Sequence, residues 1–296
     1  MRFADPRISE SSGLVADSRS DLLFTHNDSG DTARFFAVDR GGRTRATYVL
    51  PGVQARDWED ISRGPGPTLW LGDIGDNDAR RTRGLLVHRV PEPRPGSPTR
   101  LRPTTFRLRY VDGPRDAETL LVAPRTGEVF VVEKKLGSES GVYAVPGRLR
   151  PGGAVNLLHR IGQVAVPEVT GGDISPDGSR LVLRNYTAAY EWDLPGTDLV
   201  RAIAGTPRRL PLPTQQQGEG IAYSRDGRSL IISSEGLRAP VFELRPRSLA
   251  TGVALPAPVR RSEKGRSRRG PIGWLVAAGG LLAVSAIGLL RRRTRR

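Results

Sequence analysis

Short apolar runs, each bounded by glycine, proline or small polar residues, recur along most of the chain, and five segments align on them. These are ESSGLVADSRSDLLFTHNDSG (10–30), WEDISRGPGPTLWLGDIGDN (58–77), DAETLLVAPRTGEVFVVEKK (116–135), GGDISPDGSRLVLRNY (171–186) and GEGIAYSRDGRSLIISSEG (218–236). Each starts with small or acidic residues that lead into one apolar position: Leu14, Ile61, Leu120, Ile174 or Ile221. The intervals between those positions are 47, 59, 54 and 47 residues, close to the roughly 40–50 that a four-stranded propeller blade occupies. A turn follows the first run, and in two repeats it reads Ser-x-Asp-Gly (Ser175–Gly178 and Ser224–Gly227), with a glycine suited to positive φ.

A second, strongly apolar strand comes next: LLFTH, LWLGD, VFVVE, LVLRN and LIISS. Third strands read FFAVDR, LLVHRV, GVYAVP, AYEWDL and VFELRP, and fourth strands RATYVLP, TTFRLRYV, NLLHRIGQV and RRLPLP. The fifth repeat lacks a fourth strand of its own, and residues around Arg2 and Phe3 are placed to supply it, closing the ring and removing exposed sheet edges. The expected fold is therefore all-β, a β-propeller of four-stranded blades. Five blades are the direct reading, and six if missing N-terminal sequence adds strands or the long second interval hides a degenerate blade.

Charge changes the picture at the C-terminus. The chain of 296 residues has a formal charge of +15, a balance that suggests nucleic acid or anionic lipid. Residues 260–296 hold eleven of the basic residues and one acid, so the tail carries +10 and the other 259 residues only +5. No nucleic-acid partner is expected of so nearly neutral a body. Between the basic clusters, Pro271–Leu290 is uncharged over twenty residues, about 30 Å of helix and so the thickness of a bilayer's hydrocarbon core. The expected organisation is a propeller at 1–255, a basic Pro/Gly/Arg-rich linker at 256–270, a transmembrane helix at 271–290 contacting membrane lipid, and a basic cytoplasmic tail at 291–296. Leu194–Asp198 (LPGTD) resembles a sorting signal but ends in Asp and lies far upstream, so it reads as a turn. Zero cysteines exclude a disulfide scaffold, thiol catalysis and thiolate-held metals.

Candidate chemistry lies where the repeats place equivalent residues around a central channel. Glu59, Glu118, Asp173 and Glu219 stand at the start of the first strand, with Ser12 in the first repeat. His26, Asn27, Asp28, Asp73, Glu133, Asn185 and Glu235 stand at the end of the second. Oxygen ligands around one axis suit a hard divalent cation, most simply Ca²⁺. The densest group is Asp57, Glu59 and Asp60 with the loop DIGDND, Asp73–Asp78. The candidate metal ligands are Glu59, Asp73, Asp76, Asn77, Glu118, Asp173, Glu219 and Glu235. His26 and Glu59 are the candidates for acid–base catalysis, and Lys134, Lys135 and Arg184 for holding an anionic group. Against this stands turn chemistry, since Asp and Asn at strand ends commonly bond neighbouring backbone N–H groups. Phosphate loops, dinucleotide fingerprints and nucleophile elbows are absent from the sequence.

The motifs ISESSGL, THNDSGD, DWEDI, LGDIGDN, PRDAETLLV, SPDGSRLVLR, QGEGIAY and IISSEG together resemble a family of bacterial propeller proteins that are exported or membrane-anchored. More distantly they are similar to the esterase-like phytase and gluconolactonase groups. The resemblance covers roughly residues 6–246. It implies an exported body and, because family members begin with a signal peptide that MRFADPRISES lacks, a start upstream of Met1. The expected location is thus the cell membrane, single-pass, with the propeller extracytoplasmic. The distant relatives' calcium-dependent hydrolysis uses channel-facing acids and amides, similar in type to Glu59, Asp73, Glu219 and Glu235. Two functions are expected from these observations. The first is a membrane-anchored propeller that binds a ligand or protein partner at the cell surface with a divalent cation. The alternative is a calcium-dependent hydrolase of an ester, lactone or phosphoester.

Overall fold

A computed structural model describes residues 1–137 and 139–245. Within them the apolar runs fold into successive antiparallel meanders. The first comprises β1 (Ser11–Ala16), β2 (Leu23–Asn27), β3 (Arg34–Val38) and β4 (Thr44–Val49). The second comprises β5 (Trp58–Gly64), β6 (Thr68–Asp73), β7 (Leu85–Pro91) and β8 (Thr104–Tyr110), and the third β9 (Ala117–Val122), β10 (Val129–Glu133), β11 (Ser140–Ala144) and β12 (Val155–Val164). The fourth runs β13 (Gly171–Ile174), β14 (Arg180–Arg184), β15 (Ala188–Asp193) and β16 (Arg208–Pro211), with α1 (Leu199–Ile203) between its last two strands. The fifth holds β17 (Gly218–Tyr223), β18 (Leu230–Ser234) and β19 (Phe242–Leu244).

The first strand of each unit is innermost. β1 packs on β5, β5 on β9, β9 on β13, β13 on β17 and β17 back on β1, which closes the cycle. Every residue of β1, β9, β13 and β17 is buried, whereas the outer β8 and β12 alternate buried and exposed positions as half-covered strands do. The arrangement is that of a β-propeller, with five units among the described residues. Between units, apolar clusters join adjacent sheets: Leu121, Val132, Leu181 and Leu183 share one, and Phe24, Phe35, Ile61 and Leu71 another.

Closure of the fifth unit follows the sequence expectation. Arg2 bridges Pro240 in antiparallel register, the Phe3 N–H donates to Ala239 O at 3.2 Å, and the Val241 N–H donates to Met1 O at 2.9 Å. The two Ser-x-Asp-Gly turns also form as read. Gly178 and Gly227 both have φ of +69°, and each donates its N–H to the carbonyl of the turn's serine. The LPGTD segment turns the chain into α1, with Asp198 as its N-cap accepting the Arg201 N–H at 2.9 Å.

Three features depart from the expectation. The long second interval holds no degenerate blade; it comes from longer loops before and after β7, the second of which reaches back to the first unit. There the Val49 N–H donates to Thr99 O at 2.8 Å and the Leu101 N–H to Val49 O at 2.9 Å. Next, the second and third units are not separate sheets: β8 and β12 pair in parallel, Val155 opposite Arg107, giving one eight-stranded sheet. Lastly, no helix among the described residues is long and apolar enough to cross a membrane. That finding runs against the single-pass cell-membrane location, which is withdrawn. The linker at 256–270, the apolar segment at 271–290 and the tail at 291–296 lie outside the described residues.

Candidate metal centre

Antiparallel pairing brings the start of each innermost strand to the same face as the end of its neighbour. Ser11 lies opposite Asn27, Trp58 opposite Asp73, and Gly218 opposite Ser234. Asp28 follows β2, Asp57 precedes β5, and Glu59 lies within it, so all three reach one end of the ring. Their carboxylate oxygens lie within 4.8 Å of one another. Glu59 is buried, while Asp28 and Asp57 are half-buried. A missing side chain makes the room: a Cβ on Gly75 would lie 2.1 Å from Glu59 Oε1 and 2.6 Å from Asp57 Oδ2.

The electrostatics are those of crowded acids out of water. Burial, then the charge of Asp57, pushes the Asp28 pKa up to about 7. Burial, then Asp116, takes Asp57 to about 6. Glu59 is raised well above the usual carboxylate range by burial and then by Glu118 and Asp28. Further acids surround the trio. Glu118 is taken to about 8 by burial, against the pull of its ion pair with Lys134. Glu219 is raised by burial and by Glu118 and Glu235, and Glu235 shares a hydrogen bond with it. Two oxygens here, Asp28 Oδ1 and Glu118 Oε2, are buried without a hydrogen-bond partner. Clustered carboxylates resist ionising together unless a positive charge joins them. An all-oxygen donor set of this kind fits a hard divalent cation such as Ca²⁺.

The structure sorts the residues singled out in the sequence. It brings Glu59 together with Asp28 and Asp57, two residues missing from the expected ligand set, and keeps Glu118, Glu219 and Glu235 in electrostatic reach. Asp73 is used otherwise: its Oδ1 accepts from Arg81 Nη1 at 2.7 Å and from the Asp57 N–H at 3.2 Å. Asp76 caps its own loop by accepting the Arg80 and Arg81 N–H groups at 2.9 and 2.7 Å, and Asn77 is exposed in the same turn. Asp173 accepts the Ile174 and Tyr223 N–H groups, both at 2.8 Å. Counting back from Ile174, it matches Asp60 rather than Glu59, and Gly172 stands at the Glu59 position. In a strand a one-residue offset reverses the side chain's direction. Asp73, Asp76 and Asp173 are thus engaged by Arg81 and by backbone N–H groups, while Asn77 is exposed.

His26 is likewise corrected as a general base. It is fully buried, edge-on to Trp58 with ring centroids 5.7 Å apart, and its Nε2 would lie 2.4 Å from a Cβ on Gly13. Burial lowers its pKa to about 4, so the ring is neutral and enclosed. Of the basic residues, Lys134 pairs with Glu118, and Arg184 is fully buried, bonding the carbonyls of Asn185, Gly220 and Ser233.

No family model matches the chain, and no curated protein matches it. Among solved structures it is similar to a gluconolactonase from Xanthomonas campestris, at 14% identity over 81% of this chain and 87% of that one, with a TM-score of 0.47. It is also similar to a chain of a nidogen/laminin complex, at 12% identity over 77% of this chain and 73% of that one, with a TM-score of 0.45.

Proposed function

We propose that this propeller binds a divalent cation, most simply Ca²⁺, at its channel mouth through Asp28, Asp57 and Glu59, and uses the ion to hold an oxygen-bearing ligand. The observation that carries the reading is the approach of three carboxylates to within 4.8 Å, two of them on half-buried residues. Glu118, Glu219 and Glu235 surround the trio with further carboxyl oxygens, whose ionised forms a bound cation would favour. Titration calorimetry with CaCl₂ and MgCl₂ on metal-stripped protein tests it. One saturable site is expected, weakened at least tenfold in Asp57→Asn and in Glu59→Gln. Equal weak binding by all three proteins would overturn the reading.

A second reading, a hydrolase of an ester, lactone or phosphoester, is favoured by the Lys134–Glu118 pair beside the cluster, with Tyr186 bonded to Lys134. A bound divalent ion would supply Lewis-acid polarisation of a substrate oxygen. The chain's own residues would handle the proton: Glu118 Oε2 has no partner, and burial raises the pKa of its carboxyl against the pull of Lys134. Lys134 orients that carboxyl through Oε1. Turnover of a lactone, an aryl ester and a phosphomonoester, lost in Glu118→Gln while calcium binding persists, would support hydrolysis. Absence of turnover on all three leaves the binding function.

A further inference from the structure

A second polar site lies on the same face, farther out on the second unit. Antiparallel register sets the start of β7 beside the end of β8, with Leu85 opposite Leu108. The loop before β7 and the connection after β8 enclose a cavity of about 240 Å³ between them. Arg81, Thr82, Arg109 and Tyr110 provide its polar lining, and no carboxylate lines it. Its volume is roughly that of eight waters at ~30 Å³ each, room for one small hydrated or ligand-borne anion.

Two of the residues that line the cavity each carry a donor without an acceptor. Arg81 Nε and Tyr110 Oη are buried without a hydrogen-bond partner, which is costly in a folded interior. Arg81 cannot turn away to find one, because its Nη1 is held by Asp73 Oδ1 at 2.7 Å and Gly75 O at 2.9 Å. A tight turn fixes the loop as well: the Gly84 N–H donates to Arg81 O at 2.8 Å, with Gly84 at φ +93°. Any Cβ there would lie 2.1 Å from Leu108 O, so only glycine lets the loop pack on β8. Arg109, exposed at the rim, adds a second guanidinium.

We propose that this cavity is a binding site for a small oxyanion of the phosphate class, held by Arg81, Arg109, Tyr110 Oη and the Thr82 hydroxyl. Two guanidinium groups and two hydroxyls match an acceptor-only ligand with several oxygens. The site stands on observations separate from the carboxylate cluster and does not depend on the cation reading. Tyr110 Oη makes no bond within the protein, so it is free to donate.

Calorimetry with inorganic phosphate, on protein kept in EDTA, tests the proposal without a divalent ion. Saturable one-to-one binding is expected, weakened at least tenfold in Arg109→Gln. Tyr110→Phe is expected to weaken it two- to fivefold with no loss in the urea midpoint, because no internal bond is removed. Arg160→Gln, an exposed change on β12, should leave binding unaltered. The proposal falls if phosphate does not saturate, if neither Arg109→Gln nor Tyr110→Phe weakens it, or if Arg160→Gln weakens it as much. Acetate binding as tightly as phosphate would overturn the phosphate-class assignment.

Discussion

Asp60 on β5 accepts the Leu120 N–H of β9 at 2.9 Å, so a side chain from one unit terminates the backbone of the next. Its other oxygen accepts its neighbour's N–H, that of Ile61, at 2.8 Å. Asp173 repeats the arrangement between β13 and β17, accepting from Ile174 and Tyr223. Adjacent innermost strands are not paired in a sheet, and these carboxylates take the place of ladder bonds between them.

Asp60→Ala should therefore strand two buried N–H groups and destabilise the fold by about 2–4 kcal/mol, at roughly 1–3 kcal/mol each less the relief of removing a buried acid. Asp173→Ala should act likewise. Asp60→Asn keeps one carbonyl acceptor and should lose about half as much. Urea unfolding midpoints measure all three, and an unchanged midpoint in Asp60→Ala would refute the bracing role.

Much of this frame is legible in the sequence because it follows from periodicity. The five apolar positions from Leu14 to Ile221 each sit in an innermost strand, and Phe3 closes the ring as its isolation from any other repeat suggests. The site is legible only in part. Glu59, Glu118 and Glu219 can be found by alignment, since equivalent strand positions point the same way. Asp28 and Asp57 cannot be ranked above their neighbours, because they lie beyond strand ends, Asp28 held by Glu10 O and Asp57 by the loop at Gly75. Asp73 and Asp76 look like better ligands until Arg81, a residue of no evident pattern, is seen to anchor the loop on them. The parallel β8–β12 join is hidden for another reason: the strands are far apart in the chain and share no motif.

Stability should fall as pH rises through neutrality when no cation is present. Asp28 moves from 3.8 to about 7 and Glu118 from 4.5 to about 8 on folding. An acid with a raised folded pKa binds its proton more tightly in the folded state. Its contribution is fully present below the unfolded value and is lost as pH climbs through the folded one. Asp177, lowered to about 2 by its serine partners, acts oppositely but only below pH 4. His26 and His88, lowered from 6.5 to about 4 by burial, also act oppositely between those values, so the melting temperature in EDTA should decline most clearly between about pH 6.5 and 8. Calcium, replacing the protons, should flatten that decline, and an identical slope with and without calcium would count against the centre.

Phe3 tests closure of the ring. It is fully buried against Ile8, Leu14, Phe36 and Val241, and its N–H holds Ala239. Phe3→Ala should cost about 3–5 kcal/mol, as large aromatic truncations in cores do. Hydrogen exchange should rise first at Val241, whose N–H the N-terminal segment holds, just ahead of β19. Faster exchange spread evenly over all units would mean that closure is not local to this edge.

Gly75 separates the geometry of the centre from its charge. Its φ is not in the left-handed region, so alanine is tolerated by the backbone, and the effect falls on what the new Cβ meets. That Cβ would stand 2.1 Å from Glu59 Oε1 and 2.6 Å from Asp57 Oδ2. Nor can the loop retreat. The Gly75 N–H donates to Asp57 O at 3.2 Å, and Gly75 O accepts from Arg81 Nη1 at 2.9 Å. The carboxylates must part instead, with every charge retained. Gly75→Ala should weaken calcium binding at least tenfold, about 1.4 kcal/mol, while Gly153→Ala, set in open space, should leave it unchanged. Wild-type affinity in Gly75→Ala would show that Asp57 and Glu59 do not act together on the ion, because nothing else in the substitution alters the local charge.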